Sequence, residues 1–292
     1  MLKKTILITG ATGYLGSKVL LNLIKENYNL IILKRSTSNI YRILDVINQC
    51  KIYDIDTKSI FEIFEENNID IVLHLATNYG RNEDPIMEII NSNFIFPIKI
   101  LEAALKNNVR YFINIDSVLD PKTNLYALSK SHFRNFLELN STKINITNIE
   151  LEYFYGPEDA SWKFINMIFI KLVNNENEIN LTSGEQCRNF IFIDDVVNAL
   201  DLIINNLNTN INGFYSIGIG NDYSISIKDL VKKCKRISNN TSTNLNFGNI
   251  KNREKEIRIL KCNNSYIKKL GWNAKIDIDT GLSYIWSSLK KK

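Results

Sequence analysis

Short apolar runs alternate with stretches of helical spacing from the first residues of the chain onward. Thr5-Ile6-Leu7-Ile8 predicts a buried strand, the glycine-rich segment behind it a turn, and residues 14–26 a helix. Leu30-Ile31-Ile32-Leu33 predicts the second strand. A polar break, a helix over residues 40–49, a weaker strand around Ile52 and a helix over 58–66 follow. Ile69-Asp70-Ile71-Val72-Leu73 reads as a further buried strand, residues 86–106 as a long helix, and Arg110-Tyr111-Phe112-Ile113-Asn114-Ile115 as the fifth strand. Strands that alternate with helices imply parallel pairing through crossover helices, so the fold class is α/β, a Rossmann-type doubly wound parallel sheet. From about Tyr155 the rhythm loosens, with Phe190-Ile191-Phe192-Ile193 as a lone strand and residues 196–205 as a helix, which predicts a smaller mixed α/β lobe. The expected division is a dinucleotide-binding domain over 1–155 and a substrate lobe over 156–292, with some chain crossing back to the first domain.

Composition narrows the class rather than the chemistry. With 292 residues, 45% of them hydrophobic and 23% charged, the chain can bury a sizeable core and is neither disordered nor fibrous. Its net charge of +5 fits anionic small molecules, and Lys290, Lys291 and Lys292 supply three of those charges as a solvated tail rather than a nucleic-acid surface. Cys50, Cys187, Cys234 and Cys262 are too far apart for a redox pair or a zinc motif, so no metal is expected and a reducing cytoplasm is. The N-terminus lacks a secretory core and no run is long enough to span a membrane, so no membrane partner is expected.

Gly10-Ala11-Thr12-Gly13-Tyr14-Leu15-Gly16 lies between the first strand and the first helix, where a backbone must turn tightly and approach a pyrophosphate. An ordinary glycine-rich turn would show similar letters, but its place as the first strand-to-helix turn of an alternating chain favours a dinucleotide site. An NAD site carries an acid at the end of the second strand for the ribose hydroxyls. Here that end reads Leu33-Lys34-Arg35-Ser36-Thr37, whose cations and hydroxyls suit a 2′-phosphate, so NADP(H) is expected over NAD(H). Lys34 and Arg35 could alternatively be plain surface charges, and Asp54, after the third strand, either an adenine contact or a turn residue.

Tyr126 and Lys130 stand four residues apart in a helical pattern, hence on one face. A cation beside a phenol lowers its pKa toward the range of a proton-transfer catalyst. That spacing is common among surface pairs. Ser117, at the carboxyl end of the fifth strand, the edge where such sheets bind ligands, gives it a chemical partner.

The glycine loop, His74-Leu75-Ala76, Asn93, Ser117, Tyr126 and Lys130, Tyr155-Gly156-Pro157, the segment Arg188 to Asp195, and Leu270-Gly271-Trp272 together resemble the extended short-chain dehydrogenase/reductases, the epimerase/dehydratase family of nucleotide-sugar enzymes. The resemblance spans nearly the whole chain. It implies that Tyr126 is the acid/base, that Lys130 binds the nicotinamide ribose and tunes the tyrosine, and that Ser117 polarises the substrate carbonyl. It implies a cofactor path along Gly10, Thr12, Gly13, Tyr14, Leu15 and Gly16, then Lys34, Arg35, Ser36, Asp54 and Ile55 at the adenosine end. Leu75, Ala76, Thr77, Asn93 and Tyr153 complete that path, with His74 beside it as a strand-end residue. The substrate side would comprise Tyr79, Ser117, Tyr155, Lys163, Arg188 and, as a weaker candidate, Arg253. Relatives of this kind pair two long helices in a homodimer, which implies the same for residues 86–106 and 123–139.

Among the family's reactions, dehydratases carry an Asp-Glu pair directly after the hydroxyl residue, whereas Val118 and Leu119 follow Ser117 here. That leaves elimination without a catalyst. Leu33-Lys34-Arg35-Ser36, residues 154–159 and Gly184-Glu185-Gln186-Cys187-Arg188 are similar to the CDP-abequose synthase group of 4-ketosugar reductases. NADPH-dependent reduction of a nucleotide-linked 4-keto-6-deoxysugar is therefore expected. An epimerase holding NAD and a non-catalytic NADP-binding regulator are the alternatives.

Overall fold

A computed structural model describes residues 3–81, 84–207, 213–251 and 262–290. In chain order the elements begin with β1 (Thr5–Thr9), α1 (Tyr14–Leu23), β2 (Asn29–Lys34), β3 (Lys51–Asp54), α2 (Ile60–Glu65), β4 (Ile71–His74), α3 (Ile86–Ile90), a π turn (Asn91–Ile95) and α4 (Phe96–Lys106). Then come β5 (Tyr111–Ser117), α5 (Leu125–Asn140), β6 (Asn145–Leu151), β7 (Tyr153–Tyr155), α6 (Phe164–Val173), β8 (Glu178–Leu181), β9 (Cys187–Phe192), α7 (Ile193–Asn205) and β10 (Phe214–Ile219). The chain ends in β11 (Ser224–Ser226), α8 (Ile227–Ile237), β12 (Asn244–Phe247), α9 (Ser265–Lys269) and α10 (Ile278–Leu289).

The chain forms two compact units, Met1–Leu151 with Val197–Gly218, and Glu152–Val196 with Ile219–Lys292. The first holds the expected α/β architecture, with a seven-stranded sheet in the order β10-β6-β5-β4-β1-β2-β3. The pairings of β1 with β2 and β4, of β2 with β3, and of β5 with β4 and β6 are parallel. Continuous apolar strands such as Ile6-Leu7-Ile8 and Ile71-Val72-Leu73 are wholly buried, as a sheet covered by helices on both faces requires. Leu7, Phe64, Phe112, Phe133 and Ile146 lie at the centre of this core. In the second unit β9 lies between β11 and β7, β8 pairs with β12, and α6, α8 and α10 pack together.

Three departures from the sequence reading have physical causes. The helix expected over residues 40–49 is a run of turns ending in a short 3₁₀ segment, Ile47–Gln49. Only Ile43 of its apolar residues is fully buried, while Tyr41 and Leu44 are exposed, so no apolar stripe is there to pay for helical ordering. The long helix over 86–106 is interrupted by the π turn, because Pro97 has no N–H to close the next turn on Asn93. Strand β6, Asn145-Ile146-Thr147-Asn148-Ile149-Glu150-Leu151, was hidden by its alternating polar residues. Asn148 is fully buried there because Asn114 Nδ2 on β5 donates to its Oδ1 at 2.7 Å.

In the second unit the carboxylate of Asp195, 1% exposed, accepts the backbone N–H groups of Lys275 and Ile276, each at 3.0 Å. The Trp272 indole donates to the Asp195 carbonyl oxygen at 3.2 Å, so one residue at the start of α7 ties down the segment leading to α10. Asp195→Ala is expected to lower the unfolding free energy by about 2 kcal/mol, since it removes the charged acceptor shared by two part-buried backbone hydrogen bonds. Urea denaturation of the variant against the parent measures this, and an unchanged midpoint would contradict it.

Candidate active site

The carboxyl ends of β1, β4 and β5 are adjacent, in the register Thr9↔His74 and His74↔Asn114. The glycine loop leaves β1 at this edge. Gly10 has φ +71°, and a Cβ there would lie 2.6 Å from the Ala76 nitrogen. A Cβ on Gly16 would lie 2.0 Å from the Gly10 oxygen, so the first turn of α1 packs directly on the loop backbone. Gly13 N donates to Gly10 O at 3.0 Å and sits as the N-cap of the ten-residue helix α1, beside Thr12 and Tyr14, which are half-buried, and Leu15, which is buried. Glycine is demanded at positions 10 and 16 by that close approach, and the open N-terminus it creates presents N–H groups suited to a pyrophosphate. The chain's own residues therefore fit a dinucleotide.

Across the edge, Thr9 Oγ1 accepts the Ala76 N–H at 3.2 Å and lies 2.8 Å from His74 Nδ1. His74 is fully buried among Phe96, Phe112 and Phe133. Burial, and then the Lys130 charge, keep its pKa well below the ordinary histidine value, so it is a neutral packing residue at the strand end. Asn93, placed inward by the π turn, uses its amide to hold the loop after Leu75. Its Oδ1 accepts from Asn78 N at 2.7 Å and from the Thr77 hydroxyl at 3.2 Å, and its Nδ2 donates to Asn78 O at 2.7 Å and to Ser129 Oγ at 3.2 Å. That saturated amide shapes the loop; it has no polar atom left for a cofactor.

The adenosine end differs from the bare cationic edge read in the sequence. The β2/β3 register sets Asp54 opposite Lys34, and Lys34 Nζ lies 3.1 Å from Asp54 Oδ2. The Ser36 hydroxyl donates to the same oxygen at 2.9 Å, and Ser36 N donates to Asp56 Oδ2 at 2.8 Å. Ile55 N donates to Lys34 O at 2.9 Å and closes the corner. Partial desolvation pushes the Asp54 carboxyl up, but the Asp56 amide, the Ser36 hydroxyl and Lys34 outweigh it and hold the group below the usual carboxylate range. An acid does reach this corner, from β3 rather than β2, and Arg35 remains as an exposed cation.

Ser117 ends β5, and Tyr126 and Lys130 lie on α5, whose N-cap Asn124 accepts the Ala127 N–H at 2.8 Å. The structure sets Tyr126 beside Ser117 and ties Lys130 to the same strand at Ile115 O. The Tyr126 hydroxyl is hydrogen-bonded to Ser117 and to Thr77, and its ring lies 5.2 Å from that of Tyr79. The expected lowering of the Tyr126 pKa does not occur. The residue is half-buried; burial around the phenol, then Tyr79 and Asp116, push it above its ordinary value, and the Ser117 and Thr77 bonds offset this only in part. Lys130 Nζ, meanwhile, donates to Ile115 O at 2.7 Å, and burial pushes the ammonium down to about 8 while Asp116 pulls it up. Tyr126 is thus a neutral phenol, an acid rather than a base.

The remaining candidates belong to the second unit. Tyr153 is exposed, with the Arg188 guanidinium 6.0 Å from its ring centroid. Arg188 is buried on β9 and donates from Nη1 to Cys187 O at 2.8 Å. Lys163 pairs with Asp159 at 3.0 Å and lies 4.0 Å from the Phe154 ring centroid. Tyr155 departs from the sequence reading. It is 4% exposed, wedged against Phe190, Phe192 and Gly281, so it is a core residue. Arg253 lies outside the described residues. Thr77 was read only as part of the cofactor path and not as a partner of Tyr126, and the buried Asp116 and Asn148 and the half-buried Arg134 had no sequence signal beyond their neighbours.

Gly16→Ala is expected to weaken binding of NADPH and NADH roughly tenfold or more, because its methyl group would displace the Gly10 carbonyl and with it the loop. Fluorescence titration of the folded variant measures this, and affinity equal to the parent's would contradict the assignment of the loop.

Residues 6–218 match the NAD dependent epimerase/dehydratase family. The chain is 33% identical to the CDP-abequose synthase of Salmonella muenchen over 97% of both chains. It is 31% identical to that of Yersinia pseudotuberculosis, over 86% of this chain and 90% of the relative. Among solved structures it is similar to the UDP-glucose 4-epimerase of Thermotoga maritima, with TM-score 0.83, 21% identity and coverage of 98% of this chain and 99% of that one. It is also similar to the UDP-glucuronic acid 4-epimerase of Bacillus cereus, with TM-score 0.81, 22% identity and the same coverage, in a complex with UDP-glucuronic acid and NAD. The epimerases share the Rossmann-type fold, and the family match together with the synthase relatives settles membership: the chain belongs to the NAD dependent epimerase/dehydratase family of nucleotide-sugar enzymes.

Proposed function

We propose that this protein is a nucleotide-sugar 4-ketoreductase, which uses NADPH to convert the keto group of a CDP-, dTDP- or GDP-linked 4-keto-6-deoxysugar to an alcohol in deoxysugar biosynthesis for surface polysaccharide. The observation that carries the reading is the neutral Tyr126 phenol, hydrogen-bonded to Ser117 at the carboxyl end of β5 and followed in that loop by Val118 and Leu119. The set can give a proton to a carbonyl oxygen but offers no Asp-Glu pair to expel a neighbouring hydroxyl. Likeness to CDP-abequose synthases over almost the whole chain supports the same choice.

Gly10, Thr12, Gly13, Tyr14, Leu15 and Gly16 would hold the pyrophosphate, Arg35, Lys34 and Ser36 the 2′-phosphate, and Lys130 the nicotinamide ribose. When bound, the dinucleotide supplies the hydride for the keto carbon. Ser117 orients the keto oxygen by hydrogen bonding, and Tyr126 holds the proton at Oη that this oxygen takes as negative charge develops on it. Lys130, whose Nζ donates to Ile115 O, would keep the nicotinamide ribose and the tyrosine aligned. Tyr153, Lys163 and Arg188 are assigned to the sugar and diphosphate side. Ile86, Met87, Leu125, Leu128, Phe136 and Leu139 are exposed apolar residues of α3 and α5, and they support a homodimer formed by these helices. Among the described residues no helix is long and apolar enough to cross a membrane.

A second reading, an epimerase that retains NAD, is favoured by the Asp54 carboxylate beside Lys34, since an acid at this corner suits free ribose hydroxyls. Incubation with NADPH and a panel of nucleotide-linked 4-keto-6-deoxysugars separates the two. The reductase consumes one NADPH for each product formed, while an epimerase interconverts sugars without net consumption. In the same assay Tyr126→Phe is expected to lower turnover about 100-fold or more with nearly unchanged NADPH affinity. Near-parental turnover in that variant would remove Tyr126 from the reaction.

A further inference from the structure

Beneath the catalytic set lies a buried carboxylate with no part in the mechanism above. Asp116, the penultimate residue of β5, is 2% exposed, in a strand whose neighbours Phe112, Ile113 and Ile115 are buried and apolar. An apolar side chain would fill this position without the desolvation a buried charge incurs. Instead the carboxylate is fully bound. Its Oδ1 accepts the Ser117 N–H at 2.8 Å, and its Oδ2 accepts Arg134 Nε at 2.5 Å and Asn148 Nδ2 at 3.0 Å. Asn148 is held in turn by Asn114, and Arg134 follows Lys130 by one helical turn on α5. Three elements, β5, β6 and α5, therefore converge to keep one negative charge at the peptide of Ser117.

We propose that Asp116 is a positioning residue of the active site, which Arg134 and Asn148 hold in place so that it fixes the Ser117 peptide and acts as the buried counter-charge of the Lys130 ammonium. The inference rests on the reading of Ser117, Tyr126 and Lys130 as the reactive set. The charges around this pair are few. Lys130 faces Asp116 from β5 and the neutral His74 from β4. Tyr126 faces Tyr79, Asp116, Ser117 and Thr77. Glu150, the register neighbour of Asp116 on β6, accepts a hydrogen bond from Ser216 at 2.8 Å. Asp116 is the buried carboxylate acting on both reactive groups, and it raises the pKa of each. At Lys130 it opposes the loss of the proton that burial favours, while at Tyr126 it adds to the larger effects of burial and Tyr79. Arg134 sets how much of that negative charge is left for Lys130.

The test is the pH dependence of NADPH and NADH binding, followed by fluorescence, because it needs no sugar turnover. In the parent, affinity should fall as pH rises through about 8 and Lys130 loses its proton. Asp116→Asn removes the counter-charge and should move this limb to lower pH by on the order of one unit. Arg134→Gln removes the competing cation, leaves the carboxylate, and should move the limb to higher pH. Opposite shifts support the proposal, because a merely structural ion pair would lower the melting temperature of both variants and leave the limb in place. A flat parental profile, or shifts that are absent or in one direction, would overturn it. If Asp116→Asn does not fold, the direction found for Arg134→Gln decides alone. A parent that binds dinucleotide with this limb but reduces no ketosugar would retire the reductase reading and leave the role of Asp116 standing.

Discussion

The parallel pairing of β1, β4 and β5 is the constraint on which the chemistry depends. Because these strands run side by side in one direction, their carboxyl ends deliver Gly10, Ala76 and Ser117 to a single edge of the sheet. Each exit is then specialised by one local requirement. After β1 the backbone must pass so close to Ala76 and to the first turn of α1 that only glycine fits at positions 10 and 16. After β4 the Asn93 amide, turned inward where Pro97 forces a π turn, locks the loop that carries Thr77. After β5 the chain continues through Asn124, which caps α5 and sets Tyr126 beside Ser117.

The same enclosure determines the protonation states. Burial disfavours charge on the groups around Ser117, which leaves His74 neutral, weakens the Lys130 ammonium and pushes the Tyr126 phenol above its ordinary value. A site in that state has a proton in place on Tyr126 for a developing alkoxide to take, as reduction of a ketone requires. An elimination, by contrast, needs an additional base, and Val118 and Leu119 occupy the place where one would stand. Asp116, the carboxylate beside Ser117, is bound by three donors rather than open to a substrate.

Much of the first unit was legible in the sequence because its signals are local. Apolar runs of strand length, the spacing of Gly10, Gly13 and Gly16, and the Tyr126/Lys130 interval are all set by neighbouring residues. What was missed depends on contacts across strands. Asp54 reaches Lys34 only through the β2/β3 register, so the sequence showed a cationic strand end without its partner. β6 was obscured by Asn145 and Asn148, since a buried polar residue is interpretable only once its partner is known. Tyr155 looked like a substrate contact beside Gly156-Pro157, yet it is enclosed by Phe192 and Gly281, which lie far along the chain. The direction of the Tyr126 shift was misread for a similar reason. Helical spacing set Lys130 on the same face, but the ammonium bonds to Ile115 O and enclosure dominates at the phenol.

Asp54 also marks where the reductase and epimerase readings diverge, because a cation paired with an acid can face either a 2′-phosphate or free hydroxyls. Isotopic transfer resolves this at the reacting carbon. NADPH carrying deuterium at nicotinamide C4 should be incubated with CDP-, dTDP- and GDP-linked 4-keto-6-deoxysugars and the product sugar analysed by mass spectrometry and NMR. The account predicts that the label arrives at C4 of the sugar. Product sugar free of label, formed while NADPH stays unchanged, would contradict it.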